Sequence, residues 1–583
     1  MAILSEPRNG GEAPATKGHY ANGSPENALA GIVGTAFRSR TLRVVMLGAG
    51  WASVSGIQFT HDITTKMKDV ELDIYEKNAG IGGAWYENRY PGCACDVPAH
   101  TYQFSWEPNP YWTKFYAPAP EICAYLNKVV DKHDLRKHMH FRHRAIHAEW
   151  QERSATWQLK FEVTDAAGQT SYLDRECDVL VSGVGTLNNW KYPDIEGLSQ
   201  FKGSLMHTAT WDDSVDLKGK TVAVIGNGAS AVQLVPALQP VTGKIYNYVR
   251  TASWMLPHLF SDGAVQKDYS AELQARFESD PHFYFEYRRE LEQNMARGFE
   301  GLWRGTQAQA DLRRATTLHM EKMIADARIL HFLTPEFEIG CRRFTPGDHY
   351  LHALQQDNVH MLTDHITRVT ETGISDTTGV TRDVDAIVCA TGFETSYEPR
   401  FPILGRNGYS LAEDWGKDKT TESYMGAMVA RLPNFFVFNP PICPVIGSAF
   451  PGIEAASSYM IRVMERLQHD SIRSLSVKSE AQAGFNEWAQ SRMAEMVFTG
   501  NCKSWYKNSK GKVFIPWPGT IAHYIQCIDT IRWEDFHFVW ANPGNKYSSF
   551  GNGVPLGGVA PEVPPWLTKP ETVAAKVGAK GAQ

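Results

Sequence analysis

Two Gly-rich turns, each closing a short apolar run, constrain this chain more than any other feature. Residues 42–48, Leu-Arg-Val-Val-Met-Leu-Gly, read as a buried strand leading into Gly48-Ala-Gly50. Residues 220–226, Lys-Thr-Val-Ala-Val-Ile-Gly, lead in the same way into Gly226-Asn-Gly228-Ala-Ser-Ala231. At such strand-to-helix turns the backbone N–H groups converge on a pyrophosphate. Glycine lets the main chain turn and approach, and the helix N-terminus adds positive potential. Two turns predict two dinucleotide sites.

Further apolar runs at 71–76, 178–182 and 384–389 read as strands, with helical segments between them. That alternation predicts parallel, doubly wound sheets. The stretch 269–330 is charged, rich in Leu, Ala, Met and Arg, and nearly free of Gly and Pro, so it reads as a helical insertion. The expected fold is therefore α/β, with two doubly wound, Rossmann-like dinucleotide-binding domains and a helical insertion. The expected segments are a disordered tail at 1–38, the first part of one dinucleotide-binding domain at 39–215, and a second dinucleotide-binding domain at 216–380 whose insertion spans about 262–330. The second part of the first domain, with a C-terminal segment, follows at 381–550, then a mostly irregular tail at 551–583.

The assignment of the two sites rests on the residues after each turn. Glu76 ends the strand that follows the first turn, where a carboxylate accepts from ribose hydroxyls, as FAD or NAD requires. The third glycine position of this turn is open to two readings. Without a gap it holds Ser53; with Trp51-Ala52-Ser53 as an insertion, Gly56 takes the place. At the second turn Ala231 fills the third position, which the fold allows. Arg250 stands where an NAD site carries an acid. A 2′-phosphate wants a guanidinium and repels a carboxylate, so this site is expected to take NADPH.

A net charge of −6 argues against non-specific nucleic-acid binding. No apolar run approaches the ~20 residues of a membrane span, and the first residues lack the build of a signal peptide. The nine cysteines are odd in number and contain no C-x-x-C pair. They are expected to be reduced thiols in a cytoplasmic protein, which also argues against a dithiol flavin reductase. His100, His319, His349 and His360 show no metal-ligand spacing, so no metal is expected.

Two longer motifs carry a family resemblance. Gly82-Gly-Ala-Trp-Tyr-Glu-Asn-Arg-Tyr-Pro-Gly-Cys-Ala-Cys-Asp96 fits [AG]-G-x-W-x-x-x-x-[FY]-P-[GM]-x-x-x-D at every fixed position. Phe201-Lys-Gly-Ser-Leu-Met-His207-Thr-Ala-Thr-Trp211-Asp212 fits F-x-G-x-x-x-H-x-x-x-W-[PD]. With the two turns, Ala390-Thr-Gly-Phe393 and Cys502-Lys-Ser-Trp505-Tyr, the chain resembles type I Baeyer–Villiger monooxygenases from about residue 42 to about residue 540. The resemblance implies FAD and NADPH as cofactors. O2 and a small-molecule ketone are the implied substrates, and an ester or lactone is the product.

It also implies roles. Ala84, Trp85, Tyr86 and Glu87 would line the isoalloxazine, with Tyr102 contacting FAD a few residues on. Asp96 would sit beside flavin and nicotinamide, and Ala94 and Cys95 would border the nicotinamide. Asn227, Gly228, Ala229, Ser230, Ala231, Val232 and Gln233 would hold the NADP pyrophosphate. Arg250 and Thr251 would meet the 2′-phosphate, joined by Arg342, and Trp505 would pack near NADP. Arg343, held by Asp96, would stabilise a negatively charged oxygen adduct of the flavin, since a fixed cation in a water-poor pocket commonly contributes ~3–4 kcal/mol. His207 and Trp211 are expected to link domain positions rather than to move protons. The segment 434–460 is a candidate wall for an apolar substrate cavity. Two alternatives stay open: an N- or S-oxygenating flavin monooxygenase, and a non-catalytic or uncoupled flavoprotein with an impaired first turn. A fungal origin and a setting in secondary metabolism are expected by analogy with the family.

Overall fold

A computed structural model describes residues 36–48, 53–256 and 268–554. Gly50, with Ala49, Trp51 and Ala52, lies outside the described residues, as do 1–35 and 555–583 of the expected tails and the start of the expected insertion. Strands β1 (Leu42–Leu47), β2 (Val70–Tyr75), β3 (Met139–His140) and β4 (Val179–Ser182) come first. They are followed by β5 (Ser204–His207), β6 (Thr221–Ile225), β7 (Lys244–Tyr248), β8 (Val359–Leu362), β9 (Ala386–Cys389) and β10 (Phe435–Val437). Two five-stranded parallel sheets result, in the orders β10-β4-β1-β2-β3 and β8-β7-β6-β9-β5.

The physical basis is visible in β1 and β6. Val44, Val45, Met46 and Leu47 are all buried, as are Val222, Ala223, Val224 and Ile225. Strands covered on both faces need continuous apolar runs rather than alternation. In each sheet the strand that ends in a Gly turn is flanked on both sides, so the strand order reverses there. The crevice outside the carboxyl end of such a strand is where doubly wound sheets bind ligands.

Strands β5 and β9 pair with the second sheet, which therefore extends beyond the expected 216–380 span at both ends. A parallel edge strand takes its hydrogen bonds from wherever the chain next runs alongside. The sequence reading did not foresee the antiparallel layer of His143–Gln151, Thr156–Thr164 and Thr170–Cys177. Its Trp157 and Phe161 pack with Val45, Leu47, Leu180 and Phe435 of the first sheet.

The insertion is helical as expected, with helices Ala271–Ser279, Pro281–Arg297, Gln307–Met323 and Ala327–Leu333. Tyr284 fixes it to the segment after the first signature: its hydroxyl meets His100 Nδ1 at 2.9 Å and donates to the Asn109 carbonyl at 2.8 Å. Burial pushes His100 down to about 3, so it is neutral, and four aromatic rings enclose it.

The chain divides into two compact units. Residues 41–468 and 472–539 form the larger, which holds everything described below. Of the smaller, the described residues are 36–40, 469–471 and 540–554, where the Phe37 and Phe550 rings pack 5.7 Å apart. No helix of the described residues is long and apolar enough to cross a membrane.

The cysteine expectation needs correction. Cys341 and Cys502 form a disulfide, with Cα atoms 6.2 Å apart, while the other seven cysteines are free. The partners are separated by 161 positions, so local spacing could not reveal the pair.

Candidate active site

A cavity of about 480 Å³ opens at the carboxyl edge of the first sheet. Gly48, at φ +92°, leads the chain away from β1; a Cβ there would lie 2.7 Å from the Gly183 carbonyl oxygen, so only glycine fits. Glu76 is buried in the cavity wall, and its carboxylate accepts the Asn78 N–H at 2.8 Å. A fixed carboxylate at the end of β2 suits a ribose diol. Gly56, one candidate for the third glycine, is buried in the first turn of helix α1 (Ser53–Lys66).

A second cavity, of about 470 Å³, brings the remaining motifs together. Ala84 and Trp85 reach its wall from the short helix α2 (Ala84–Glu87), and Ala94, Cys95 and Asp96 from the loop that follows. Tyr102, Arg343 and Trp505 line it too, with Gly228, Ala229, Ser230 and Gln233 at the start of helix α3 (Ala229–Leu238). The α3 N-cap, Gly228, makes no side-chain cap bond, and a Cβ there would meet nothing within 4 Å. The uncapped N–H groups and the open approach fit a phosphate cradle. Gly226, at φ +124°, presses the turn against β9: a Cβ there would lie 2.5 Å from the Ala390 carbonyl oxygen.

Other expected residues lie elsewhere. Tyr86 lines neither cavity and carries the Arg89 guanidinium 4.9 Å from its ring centre. Glu87 faces the first cavity, paired with Lys77 at 2.7 Å and accepting from Asn78 Nδ2 at 2.8 Å. Asn227 donates to the Thr251 carbonyl at 2.7 Å. Ala231 and Val232 face the core, where a helix must bury one side.

Gln233 does more than was expected. Its Nε2 donates to the Ala94 carbonyl at 2.9 Å, and its Oε1 accepts from the Tyr90 hydroxyl at 2.8 Å. Beside it, Gly92 sits at φ +83°, and a Cβ there would lie 2.5 Å from the Gln233 carbonyl oxygen. The loop that carries Asp96 is thus seated on α3.

Arg342 Nη1 donates to Thr251 Oγ1 at 3.4 Å and to the Ala252 carbonyl at 3.2 Å. Burial and the repulsion of Arg250 both hold its guanidinium below the usual arginine range. Among the described residues no carboxylate makes a salt bridge with either arginine. Two unneutralised guanidiniums beside Thr251 suit a phosphate dianion.

Arg343 is the centre of the arrangement. Its Nε and Nη2 donate to the two carboxylate oxygens of Asp96 at 2.6 and 2.7 Å, and its Nη1 donates to the Val445 carbonyl at 2.9 Å. Burial lowers its pKa, but attraction to Asp96 outweighs burial and holds the guanidinium above its ordinary value. The side chain is 31% exposed and borders both the central cavity and a smaller one of about 110 Å³. The smaller cavity is walled by Met295, Leu312, Phe344, Val445 and Ile446, with Tyr506 beside them. Tyr506 is fully buried, and burial, opposed by Arg343, pushes its hydroxyl up to about 12. The sequence reading gave Tyr506 no role; its place next to Trp505 was the available signal.

From 434–460 aromatic side chains are expected in a cavity wall, but the residues that line the central cavity come from its middle and are not aromatic. Pro444, Val445, Gly447 and Ala449 line the central cavity. Phe435 and Phe436 are buried in strand β10, and Phe450 packs on Tyr102 with ring centres 4.8 Å apart. His207 ends β5, fully buried, stacked on Trp190 at 4.9 Å and accepting the Ala209 N–H at 3.1 Å. Burial pushes it down to about 4. It lines neither cavity, as suits a structural link.

The NAD(P)-binding Rossmann-like domain family matches residues 47–119. The FAD-binding monooxygenase moxY of Dothistroma septosporum is 38% identical over 88% of this chain and 82% of its own length. A Baeyer–Villiger monooxygenase of Pseudomonas aeruginosa is 36% identical over 82% of this chain and 88% of its own. The chain belongs to the Baeyer–Villiger monooxygenase family. Among solved structures, an oxidised steroid monooxygenase bound to NADP superposes with a TM-score of 0.72 at 26% identity, covering 86% of this chain and all of that one. A closed cyclohexanone monooxygenase gives a TM-score of 0.73 at 23% identity with the same coverage, a likeness of fold. As in these Baeyer–Villiger monooxygenases, the fold here is mixed α/β with parallel, Rossmann-like sheets.

Proposed function

We propose that this chain is an FAD-dependent, NADPH-consuming Baeyer–Villiger monooxygenase that inserts one oxygen atom from O2 into a ketone, giving an ester or lactone. The observation that carries the reading is the Arg343 guanidinium, gripped in bidentate fashion by Asp96 in the wall where the second Gly turn, the first signature and the Trp505 loop meet. FAD, reduced by NADPH, supplies activated oxygen as an anionic nucleophile when bound.

The residues divide the work. Gly48 and Glu76 hold the adenosine end of FAD, and Ala84, Trp85 and Tyr102 border its ring. Gly228 to Gln233 cradle the NADP pyrophosphate, with Arg250, Thr251 and Arg342 on the 2′-phosphate. Arg343 holds negative charge near the reacting oxygen, in a site whose apolar walls exclude water. Asp96 orients Arg343 and balances its charge. The cavity beside Met295, Leu312, Phe344 and Val445 takes the apolar part of the ketone.

In this reading residues 39–215 and 381–550 serve FAD and 216–380 serve NADPH, with β5 and β9 completing the second sheet. Relatives in Dothistroma septosporum, Aspergillus terreus and Emericella nidulans support a fungal setting, and secondary metabolism is the proposed context. The proposed compartment is the cytoplasm, supported by seven free cysteines.

The test is NADPH consumption against a panel of cyclic and open-chain ketones, with product mass and hydrogen peroxide measured in parallel. A ketone should yield a product heavier by one oxygen atom, and matched amines and sulfides should be spared. Oxygenation of the amines or sulfides alone would overturn the ketone assignment. Failure to retain FAD after reconstitution would overturn the flavoenzyme reading itself.

A further inference from the structure

The disulfide joins the two segments whose placement sets the central cavity. Cys341 lies two residues before Arg343, and Cys502 lies three residues before Trp505. The two strips pack closely: a Cβ on Gly500 would collide with the Glu338 side chain, and one on Gly340 would lie 3.2 Å from Val497. A lysine completes the group. Lys507 Nζ stands 3.6 Å from the Cys341 sulfur and 3.7 Å from the Cys502 sulfur, held there by the carbonyls of Gly500 and Cys502. Glu338, Arg304 and Arg342 are the other charges that act on it. An ammonium against a sulfur pair stabilises a thiolate, the species through which disulfides exchange.

We propose that Cys341–Cys502 is a reversible redox tether between the Arg343 segment and the Trp505 loop, opened by a dithiol and re-formed by hydrogen peroxide, with Lys507 as the positioning residue that makes the exchange fast. Cys341 is fully buried, whereas Cys502 is 9% exposed between the exposed Asn501 and Lys503. A dithiol's thiolate therefore attacks the Cys502 sulfur. The S–S bond breaks, and its electron pair leaves on Cys341 as a thiolate facing Lys507. The second thiol of the reductant then closes on the mixed disulfide and releases the Cys502 thiolate, so the protein gains two electrons and two protons, as two thiols, while the dithiol becomes a disulfide. In the reverse direction one thiolate attacks peroxide, the O–O bond breaks, and the partner thiol displaces the oxygen. Two thiols and one peroxide give one disulfide and two waters. Peroxide is the by-product of uncoupled turnover in the proposed reaction, so the oxidant arises at the same enzyme.

The tether has two consequences. Closed, it holds Trp505 and Tyr506 in register with Arg343. Open, it frees the loop that walls the cavity and lets oxygen be lost as peroxide. The coupling readout rests on the ketone-oxygenation reading; the chemical readout does not.

Differential alkylation of the full-length enzyme decides the matter. Iodoacetamide under denaturing, non-reducing conditions should spare residues 341 and 502. After dithiothreitol it should label both, and hydrogen peroxide should restore protection. Lys507→Met should slow reduction by dithiothreitol by about tenfold. Reduced wild type and Cys502→Ser should both release several-fold more peroxide per NADPH, and dithiothreitol should change Cys502→Ser no further. The proposal falls if both thiols are labelled in enzyme that peroxide cannot protect. It falls equally if Lys507→Met is reduced at the wild-type rate, or if dithiothreitol uncouples Cys502→Ser as much as wild type. Correct alkylation with no ketone oxygenation would instead retain the tether and remove the proposed reaction.

Discussion

Arg343→Ala removes the one cation that, among the described residues, lines the central cavity. A guanidinium has five N–H groups. Two bind Asp96 and one binds the Val445 carbonyl, so two remain for an anion. Removing a preorganised donor from a site of this kind costs ~3–4 kcal/mol, or ~10²–10³-fold in the step it serves. The structure limits where that loss appears. The proposed FAD and NADPH contacts at Glu76, Gly228 and Arg250 lie on other segments, so both cofactors should still bind and NADPH should still be oxidised. Ester formation should therefore fall ~10²–10³-fold while peroxide rises to match NADPH consumed. Arg343→Lys sharpens the test. It keeps the charge but loses the two-point grip on Asp96, so it should fall between wild type and alanine. The assay is a three-way stoichiometry of NADPH, ester and peroxide, with flavin absorbance recorded to show loading. Wild-type ester per NADPH in loaded Arg343→Ala would refute the reasoning.

Three further outcomes can be measured. Arg250→Ala combined with Arg342→Ala should raise KM for NADPH by ~10–100-fold and leave KM for NADH nearly unchanged, because charge-assisted bonds to a 2′-phosphate contribute ~1.5–3 kcal/mol. Equal effects on both nucleotides in steady-state kinetics would contradict that site. Gly226→Ala forces a Cβ to within 2.5 Å of the Ala390 carbonyl oxygen at φ +124°, so differential scanning should show a lower Tm and NADPH should bind more weakly; an unchanged Tm would contradict the close approach. His207 is neutral in the folded protein down to about pH 4 but protonates near 6.5 once unfolded. The unfolded chain therefore binds a proton first as pH falls, and folding loses up to about 3 kcal/mol between pH 6.5 and 4. A His207→Gln variant should show a flatter decline of Tm over that window, and parallel profiles for the two proteins would refute the assignment.

How much of this was legible in the sequence depended on distance along the chain. Both Gly turns, the acid at Glu76 and the arginine at Arg250 follow from local chemistry, because each sits within one strand–turn–helix unit. The clamp is different. Asp96 and Arg343 are 247 residues apart, and only motif resemblance suggested that they meet. The Cys341–Cys502 bond lay beyond both kinds of signal: neither cysteine has a neighbour at redox spacing, and both lie far along the chain from the two signatures at 82–96 and 201–212. The antiparallel layer at 143–177 escaped for another reason. Its strand Thr170–Cys177 is largely exposed, with burial confined mainly to Cys177, so no clean apolar alternation marks it.

The seating of the Asp96 loop explains why a fingerprint that begins beside the first sheet belongs, energetically, to the second. Gln233 grips Ala94 and Tyr90 from α3, and Gly92 fits against the same helix so closely that no side chain could replace its hydrogen. Arg343 reaches the cavity from the segment that also carries Arg342 and meets Thr251 after β7. Both partners of the clamp are therefore fastened to the helix and strand ends that form the proposed NADP cradle. Glu76 and Gly48 stand apart at the first sheet. A nucleotide seated at Gly228 bears on the helix that carries Gln233, and so on the carboxylate that orients Arg343. The pairing of Tyr90-Pro-Gly92 with an aspartate four residues later is, on this view, a device for delivering a charge from the chain beside the first sheet to the site at the second. That is why its spacing has to be kept: each residue added or lost between Gly92 and Asp96 would move the carboxylate by about 3.3–3.6 Å, more than the length of the hydrogen bonds it makes.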